Sequence, residues 1–228
     1  PDPGTDGRSV PVPRGKMLGG SSAINGLVFV RGQAQDYDHW AQLGNRGWSY
    51  SDVLPVFRDM ENYDGGNDEY RGRSGPLNVT DTPERGPLYD SLIAAAGAHG
   101  IDPAADYNGA VQDGITMSQT TIHKGRRMST ARCYLDPVRR RSNLVIRANA
   151  LARALTFDGT KCTGVRYTVK GREHVARAGR EVIVSAGSIN SPQLLELSGI
   201  GNPELLKDQG IDVVHALNGV GENLRDHY

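Results

Sequence analysis

The strands predicted in the second half of the chain follow two different hydrophobic patterns, and this difference limits the folds available to the sequence. Residues 181–187 (EVIVSAG) form a short, nearly unbroken apolar run, which is typical of a strand covered on both faces. Residues 151–157 and 165–169 also resemble strands, and apolar and polar side chains alternate along the second of them. Such alternation indicates antiparallel strands with one face in water. The sequence therefore predicts a mixed α/β fold of nucleotide-binding type that carries an inserted antiparallel sheet.

Capping and turn residues predict the helices and loops between these strands. Residues 65–85 are rich in Gly, Asp, Asn and Pro, so we expect an exposed excursion with one short strand at 77–79. Further strands are expected at residues 115–122, 144–147 and 213–217. Helices are expected at 36–43, behind the capping-box residues 49–52, from Pro87 to His99, after Ser129, after Ser191-Pro192 and after Asn202.

Charge and cysteine content exclude several classes of protein. The 26 Lys and Arg residues balance the 26 Asp and Glu residues, whereas nucleic-acid binding needs a basic surplus on one face. No apolar run approaches the roughly 20 residues of a transmembrane helix. With only Cys133 and Cys162, a disulfide framework or a four-ligand zinc site is not expected. We predict two free thiols in a reducing compartment, the cytoplasm.

Two glycine-rich stretches have the composition of a ligand site. In residues 15–25 (GKMLGGSSAIN), paired glycines let the backbone approach a planar or anionic group, and a helix start behind them favours anions. In residues 186–192 (AGSINSP), a buried strand ends in small residues and opens a helix, which is where α/β folds bind nucleotides. An ordinary capped turn explains the first stretch somewhat better than a ligand site does, and a tight strand-to-helix crossover explains the second about as well.

Other catalytic motifs do not occur in the sequence. Residues 199–204 and 219–224 begin like a dinucleotide fingerprint, but neither has its third glycine. The sequence contains no nucleophile elbow, Walker A loop, H-E-x-x-H or C-x-x-C motif. The six histidines lack metal-ligand spacing on any one helix. No hydrolase, P-loop or metal site is predicted.

Taken together, the motifs resemble those of the glucose-methanol-choline (GMC) oxidoreductase family, in its choline-dehydrogenase-like branch. Residues 13–32 (PRGKMLGGSSAINGLVFVRG) resemble the first family signature and are followed by DYDHW at 36–40. Residues 187–201 (GSINSPQLLELSGIG) resemble the second signature, and residues 220–227 (VGENLRDH) the segment after it. Shorter blocks at 106–109, 127–129 and 134–135 are similar too.

The resemblance implies a partial FAD-binding, Rossmann-like domain and an oxidation of primary alcohols by hydride transfer to flavin N5. It implies FAD as cofactor and a small-molecule alcohol as substrate. Members with a histidyl-flavin bond carry His at the position of Ile24, so non-covalent FAD is implied. The residues implied to contact the flavin or its pyrophosphate are Gly19, Gly20, Ser21, Ser22, Asn25, Gly26, Leu27 and Val28. Those implied to lie near the adenosine are Ala152, Ala186 and Gly187.

The same resemblance divides the chain and assigns it no catalytic residue. It implies FAD-domain portions at 1–64 and 144–228 and a substrate-domain portion at 65–143. The family's dinucleotide fingerprint is expected before Pro1, and its catalytic histidine after Tyr228; His227 is not assigned that role. We therefore expect this chain to be inactive alone and to need the remaining segments of its parent as partners. A flavin-bound hydroxynitrile lyase and a truncated, non-catalytic fragment are the alternatives.

Overall fold

The computed structural model describes residues 6–9, 11–82 and 86–225. The backbone contacts divide the chain into two compact units, Pro1–Val145 and Ile146–Tyr228. Helices and strands are mixed along the chain, which confirms the predicted mixed fold class. His227 and residues 83–85, the end of the predicted excursion, lie outside the described residues.

The first unit combines three α-helices with short two-residue strands. Its helices are α1 (Ala34–Gln42), α2 (Tyr50–Met60) and α3 (Pro87–Ala98). Its strands are β1 (Glu61–Asn62), β2 (Leu77–Asn78), β3 (Thr80–Asp81), β4 (Gln119–Thr120), β5 (Ile122–His123) and β6 (Arg126–Arg127). β1 pairs with β2 in parallel, whereas β3 with β4 and β5 with β6 are antiparallel. The irregular turns are the 3₁₀ turns Gly20–Ala23 and Asp136–Val138 and the π-helical turn Ala131–Leu135.

The predicted capping residues begin two of these helices. Ser49 accepts a hydrogen bond from Asp52 N, and the Asp52 carboxylate accepts one from Ser49 N at 3.1 Å, which is a capping box. Pro87 occupies the first position of α3, where its missing N–H costs no helical hydrogen bond. Pro55 lies inside α2.

The prediction of an exposed excursion at residues 65–85 is partly wrong, although the short strand expected within it forms as β2. Residues 66–69 are exposed, but Arg71, Leu77 and Val79 are buried. Leu77 and Val79 form a hydrophobic cluster with Tyr63 and Cys133, against which Phe29 and Met128 pack. The segment therefore folds back over this core, because its apolar residues are separated from the polar turn that precedes them.

The second unit contains an antiparallel sheet of three strands, β7 (Ala150–Asp158), β8 (Lys161–Val169) and β9 (Arg172–Arg177), in that order. The pairing of β7 with β8 confirms the predicted strands, and Gly159, with φ +56°, makes the turn between them. β9 was not predicted. Its side chains are all exposed, so neither of its faces is buried. Lys170 and Gly171, both at positive φ, form the two-residue turn before it.

The remaining elements of this unit are α4 (Gly187–Glu196), β10 (Ile200–Gly201), α5 (Pro203–Asp208) and β11 (His215–Ala216). Asn202 caps α5 by accepting from Glu204 N and Leu205 N, as predicted. The predicted start of α4 at Ser191-Pro192 is wrong, because the helix begins at Gly187. The Ser191 hydroxyl instead accepts from Ala186 N at 3.0 Å, so it secures the residue before the helix.

Two predicted strands do not form among the described residues. Residues 181–187 contain no strand, and Ile183 is 79% exposed. Residues 144–147 also lack strand structure. An apolar run becomes a buried strand only when neighbouring strands bond to its backbone. No described segment pairs with either run, and this explains why both predictions failed.

Candidate functional site

The first predicted site lies in a loop of residues 15–28, called the glycine loop below. It contains a tight turn rather than the start of a long helix. Gly19 adopts a left-handed conformation at φ +91°, and the 3₁₀ turn Gly20–Ala23 follows it. Gly20 is also at positive φ, +53°. Four residues of 3₁₀ turn align few peptide dipoles, so the expected helix start does not form as a longer helix, and contact of this loop with the pyrophosphate stays a prediction.

The glycines of this loop have different reasons to lack a side chain. A Cβ on Gly15 would lie 2.1 Å from Gly20 O, and one on Gly19 would lie 3.2 Å from the Ala131 Cβ. These two glycines allow parts of the chain to pack closely. At Gly20 and Gly26, in contrast, no heavy atom of the described residues lies within 4 Å of such a Cβ. Both positions face open space.

Large apolar side chains next to this turn in sequence are exposed instead of filling a core. Met17 is 58% exposed and Val28 is 56% exposed, and both flank the turn in sequence. Leu18 and Ile24 are exposed as well. A segment that combines exposed apolar side chains with two unobstructed glycines is suited to contact with a flat, largely apolar group.

Hydrogen bonds from residues about a hundred positions away hold the first half of the loop. The Ser22 hydroxyl donates to Gly19 O at 2.5 Å and accepts from Thr130 N at 3.0 Å. The Thr130 hydroxyl donates to Gly19 O at 3.2 Å. Ser22 therefore faces inward and fixes the turn, and its hydroxyl is engaged by protein groups. The Ser21 hydroxyl accepts from Gly15 N at 3.2 Å.

Arg127 holds the second half of the loop. Its Nη1 atom donates to both Asn25 O and Asn25 Oδ1 at 2.7 Å. Asn25 Oδ1 also accepts from Leu27 N at 3.3 Å. Leu27 lies at φ +68°, a conformation that leucine rarely adopts, and its carbonyl accepts from Thr121 N at 2.9 Å. Val28 then forms an isolated antiparallel bridge with Thr120.

A buried ion network supports the strand-like residues that follow the loop. Glu61, fully buried, accepts from Arg71 Nε at 2.7 Å and from Arg31 Nη2 at 2.7 Å. Arg71 Nη1 also pairs with Asp106 at 2.6 Å and donates to Gln119 Oε1 at 2.9 Å. Burial lowers the pKa of Arg31, and the neighbouring Glu61 carboxylate opposes this effect. Two arginines and two carboxylates balance their charges inside the unit.

The ionisation of Tyr63 is expected to lower the folding stability of this part of the chain at alkaline pH. Burial, then the hydrogen bond to Asp81 (2.9 Å), raises the pKa of Tyr63 above its ordinary 10.0. The folded state keeps this proton at pH values where the unfolded chain releases it. Its stabilising contribution is complete below pH about 10 and is lost as pH rises further. We expect urea unfolding to show falling stability above that pH, with a shallower fall in Tyr63→Phe. An unchanged slope in that variant, relative to the exposed control Tyr89→Phe, would contradict the assignment.

The predicted residues of the second unit lie on two elements of that unit. Ala152 is exposed on β7, just before a shift in the β7–β8 register. Because β7 is at the edge of its sheet, one side of its backbone is not bonded to a strand. Gly187 begins α4 at φ +90°, and no heavy atom of the described residues lies within 4 Å of a Cβ built there. The Ala186 N–H is engaged by Ser191.

Comparison with known proteins decides the family. A family model described as GMC oxidoreductase matches residues 3–228. The chain belongs to the GMC oxidoreductase family. This confirms the resemblance read from the two signatures.

Curated relatives of this GMC oxidoreductase chain include oxygen-dependent choline dehydrogenases. Those of Brucella anthropi and Sinorhizobium fredii are 48% and 47% identical over 227 residues. The alignment covers 100% of this chain and 41% of each relative, so the chain spans about two fifths of their length.

Solved structures share the fold. An FAD-dependent oxidoreductase from Chaetomium thermophilum matches with a TM-score of 0.91 and 32% identity, over 96% of this chain and 40% of that one. Pyridoxine 4-oxidase from Mesorbium loti matches with a TM-score of 0.87 and 30% identity, over 94% of this chain and 42% of that one.

GMC oxidoreductases are FAD-dependent enzymes, and the glycine loop fits such a group. Its open glycines and uncovered apolar side chains provide a face for a planar ring system, as described above. Within the described residues, no group of three His, Cys, Asp or Glu side chains could hold a metal ion. No helix in residues 6–9, 11–82 and 86–225 is both long and apolar enough to cross a bilayer.

Sequence reasoning missed the residues that shape this loop. Arg127 and Thr130 contact it across about a hundred residues, and no local pattern reveals such a contact. The only available signal was the family-like block at 127–129. Similarly, nothing in the charge pattern distinguishes the buried Arg71 from the exposed arginines around it.

Proposed function

We propose that the protein containing this chain is an FAD-dependent oxidoreductase that oxidises a small primary alcohol to an aldehyde. One observation carries the proposal: the glycine loop presents an open, apolar face in a chain that matches the GMC family along its whole length. The similarity to choline dehydrogenases makes a hydroxyl-bearing quaternary ammonium compound such as choline the first substrate to test.

The chain's own residues bind and orient the cofactor in this proposal. Gly20 and Gly26 admit the ring system at close range, and Leu27 and Val28 cover part of it with apolar groups. Ser22, through Thr130, keeps the turn in shape. Ala152 and Gly187 offer backbone contacts to the adenosine portion. FAD, when bound, supplies the hydride acceptor, and the surrounding apolar side chains exclude water from it.

The proposal includes non-covalent FAD. Ile24 is exposed at the end of the 3₁₀ turn, where its side chain has no nucleophilic atom to bond the flavin. Acid precipitation of the purified protein tests this part directly. We expect all flavin in the supernatant; a yellow, washed pellet would show a covalent link.

The experiment for the function uses the protein expressed from the complete gene that contains this chain. We expect a visible flavin spectrum with about one FAD per chain and bleaching of that spectrum when choline is added without oxygen. A panel of primary alcohols and sugars alongside choline would rank substrates by their bleaching rates. A colourless protein that takes up no added FAD would contradict the cofactor assignment. A flavin that no member of the panel bleaches would contradict the reaction.

A further inference from the structure

The β5–β6 hairpin places one arginine against the loop proposed to hold the flavin. Lys124 and Gly125 form its two-residue turn, both at positive φ, and Arg127 pairs with Ile122 across the ladder. A two-residue turn of this kind fixes the register of a hairpin. The backbone position of Arg127 is therefore set by the hairpin.

The arginine bonds to the loop mainly through Asn25, with a longer bond to Ser22. Arg127 Nη1 meets the carbonyl and the side-chain oxygen of Asn25, both at 2.7 Å, and its distance to Ser22 O is 3.4 Å. Hydrogen bonds from an ionised donor at this distance are the stronger ones. The same Asn25 oxygen accepts from Leu27 N, so the guanidinium orients the amide that supports Leu27.

The loop needs that support because of its own geometry. Leu27 is held in the left-handed region, which is unfavourable for a residue with a Cβ. Thr121 N fixes the carbonyl of Leu27 from the other side. Without Arg127, the Asn25 side chain keeps its bond from Leu27 N at 3.3 Å but loses the shorter bond from the charged donor, and the strained Asn25–Val28 segment is held less firmly.

We propose that Arg127 is a positioning residue for flavin binding: acting through Asn25, it preorganises the loop against which the flavin lies. This inference rests on the proposed function and adds a residue that the family signature at 13–32 does not include. In this role Arg127 acts on the loop and needs no contact with the cofactor. Preorganisation improves affinity because the cost of ordering is met before the ligand arrives.

The test compares Arg127→Gln with Arg126→Gln in the protein from the complete gene. Arg126 is the exposed neighbour on the same strand, so the control removes the same charge from the same hairpin. In apoprotein titrated with FAD, we expect Arg127→Gln to bind FAD about ten-fold more weakly than wild type, because only the preorganisation of the loop is lost. Arg126→Gln should bind FAD as tightly as wild type. Arg127→Lys is expected to recover part of the affinity, because an ammonium group can also donate to both oxygens.

Two further measurements separate positioning from general destabilisation. Hydrogen exchange of the apoprotein should be faster in residues 19–28 of Arg127→Gln, with α1 and α2 unchanged. Combining Arg127→Gln with Asn25→Ala should weaken FAD binding by less than the sum of the two single effects, since both changes remove the bond between the guanidinium and the Asn25 side chain.

The possible failures are distinct. If wild type and variant bind FAD equally, or if the two substitutions have additive effects, the positioning role is wrong and the proposed function stands. If the wild-type protein binds no FAD, the proposed function is wrong and this inference falls with it. The positioning role is also wrong if hydrogen exchange in Arg127→Gln is faster throughout the protein and its folded molecules bind FAD as tightly as those of Arg126→Gln.

Discussion

Replacing Arg71 with methionine is expected to lower the free energy of unfolding by about 3–5 kcal/mol, the usual cost of removing one partner from a buried ion pair. The Arg71 side chain has 0% exposure and binds Glu61, also at 0%, and Asp106 at 11%. The substitution leaves two carboxylates facing one remaining arginine, Arg31. Methionine fills a similar volume, so the loss of the charge dominates over the loss of packing.

Thermal or urea unfolding measures this effect, and the chain offers a matched control. Arg139 pairs with Asp136 at 2.8 Å, but these side chains are 53% and 52% exposed. Arg139→Met should change stability by no more than about 1 kcal/mol, the usual limit for a surface pair. If the two substitutions lower the free energy of unfolding equally, the ion network around Glu61 contributes no more to stability than a surface ion pair.

A double variant tests whether the charges of the network, and not only the volume of its side chains, stabilise the fold. The double variant Glu61→Gln with Arg71→Met removes a carboxylate together with its partner. We expect it to be less destabilised than the sum of the single variants, because fewer unpaired charges remain buried. Simple additivity would indicate that the ion pairs act independently of one another.

Local sequence signals predicted the elements that depend on near neighbours. The capping box at Ser49, the proline start of α3, the Asn202 cap and the β7–β8 hairpin are all determined by residues within a few positions. The structure confirmed each of them. In these cases the physical cause, a cap or a turn, lies inside the segment that was read.

Elements that depend on distant residues were predicted poorly. Residues 181–187 have the composition of a buried strand, yet a strand needs partners, and the described chain supplies none. The segment 65–85 was predicted to be exposed from its own polar residues. The residues that bury Arg71, Leu77 and Val79 include Glu61 and Cys133, which lie outside the segment. At the candidate site, the glycine loop was recognisable from the sequence. The hydrogen bonds that Arg127 and Thr130 make to it could not be predicted. The roles of the individual loop residues towards FAD remain predictions.

Replacing Gly20 with valine is expected to abolish FAD loading in the protein from the complete gene. Two causes act together. Gly20 lies at φ +53°, which a β-branched residue resists at a cost of about 1–3 kcal/mol. In addition, its missing side chain leaves open the space that the proposal assigns to the flavin, so a valine there occupies that space.

Gly159→Val separates these two causes. Gly159 has nearly the same conformation, φ +56°, and the same open surroundings, but it lies in the β7–β8 turn, which is not part of the proposed site. Both variants should lose similar stability, because both place valine in the left-handed region. Only Gly20→Val should lose the flavin spectrum, while Gly20→Ala, with its single methyl group, should bind FAD more weakly than wild type and more tightly than Gly20→Val. If Gly20→Val retains a full flavin spectrum, the glycine loop is a turn and not a cofactor site. If Gly159→Val loses FAD as completely, strain in the fold is the cause, and the open space at Gly20 then has no demonstrated part in binding.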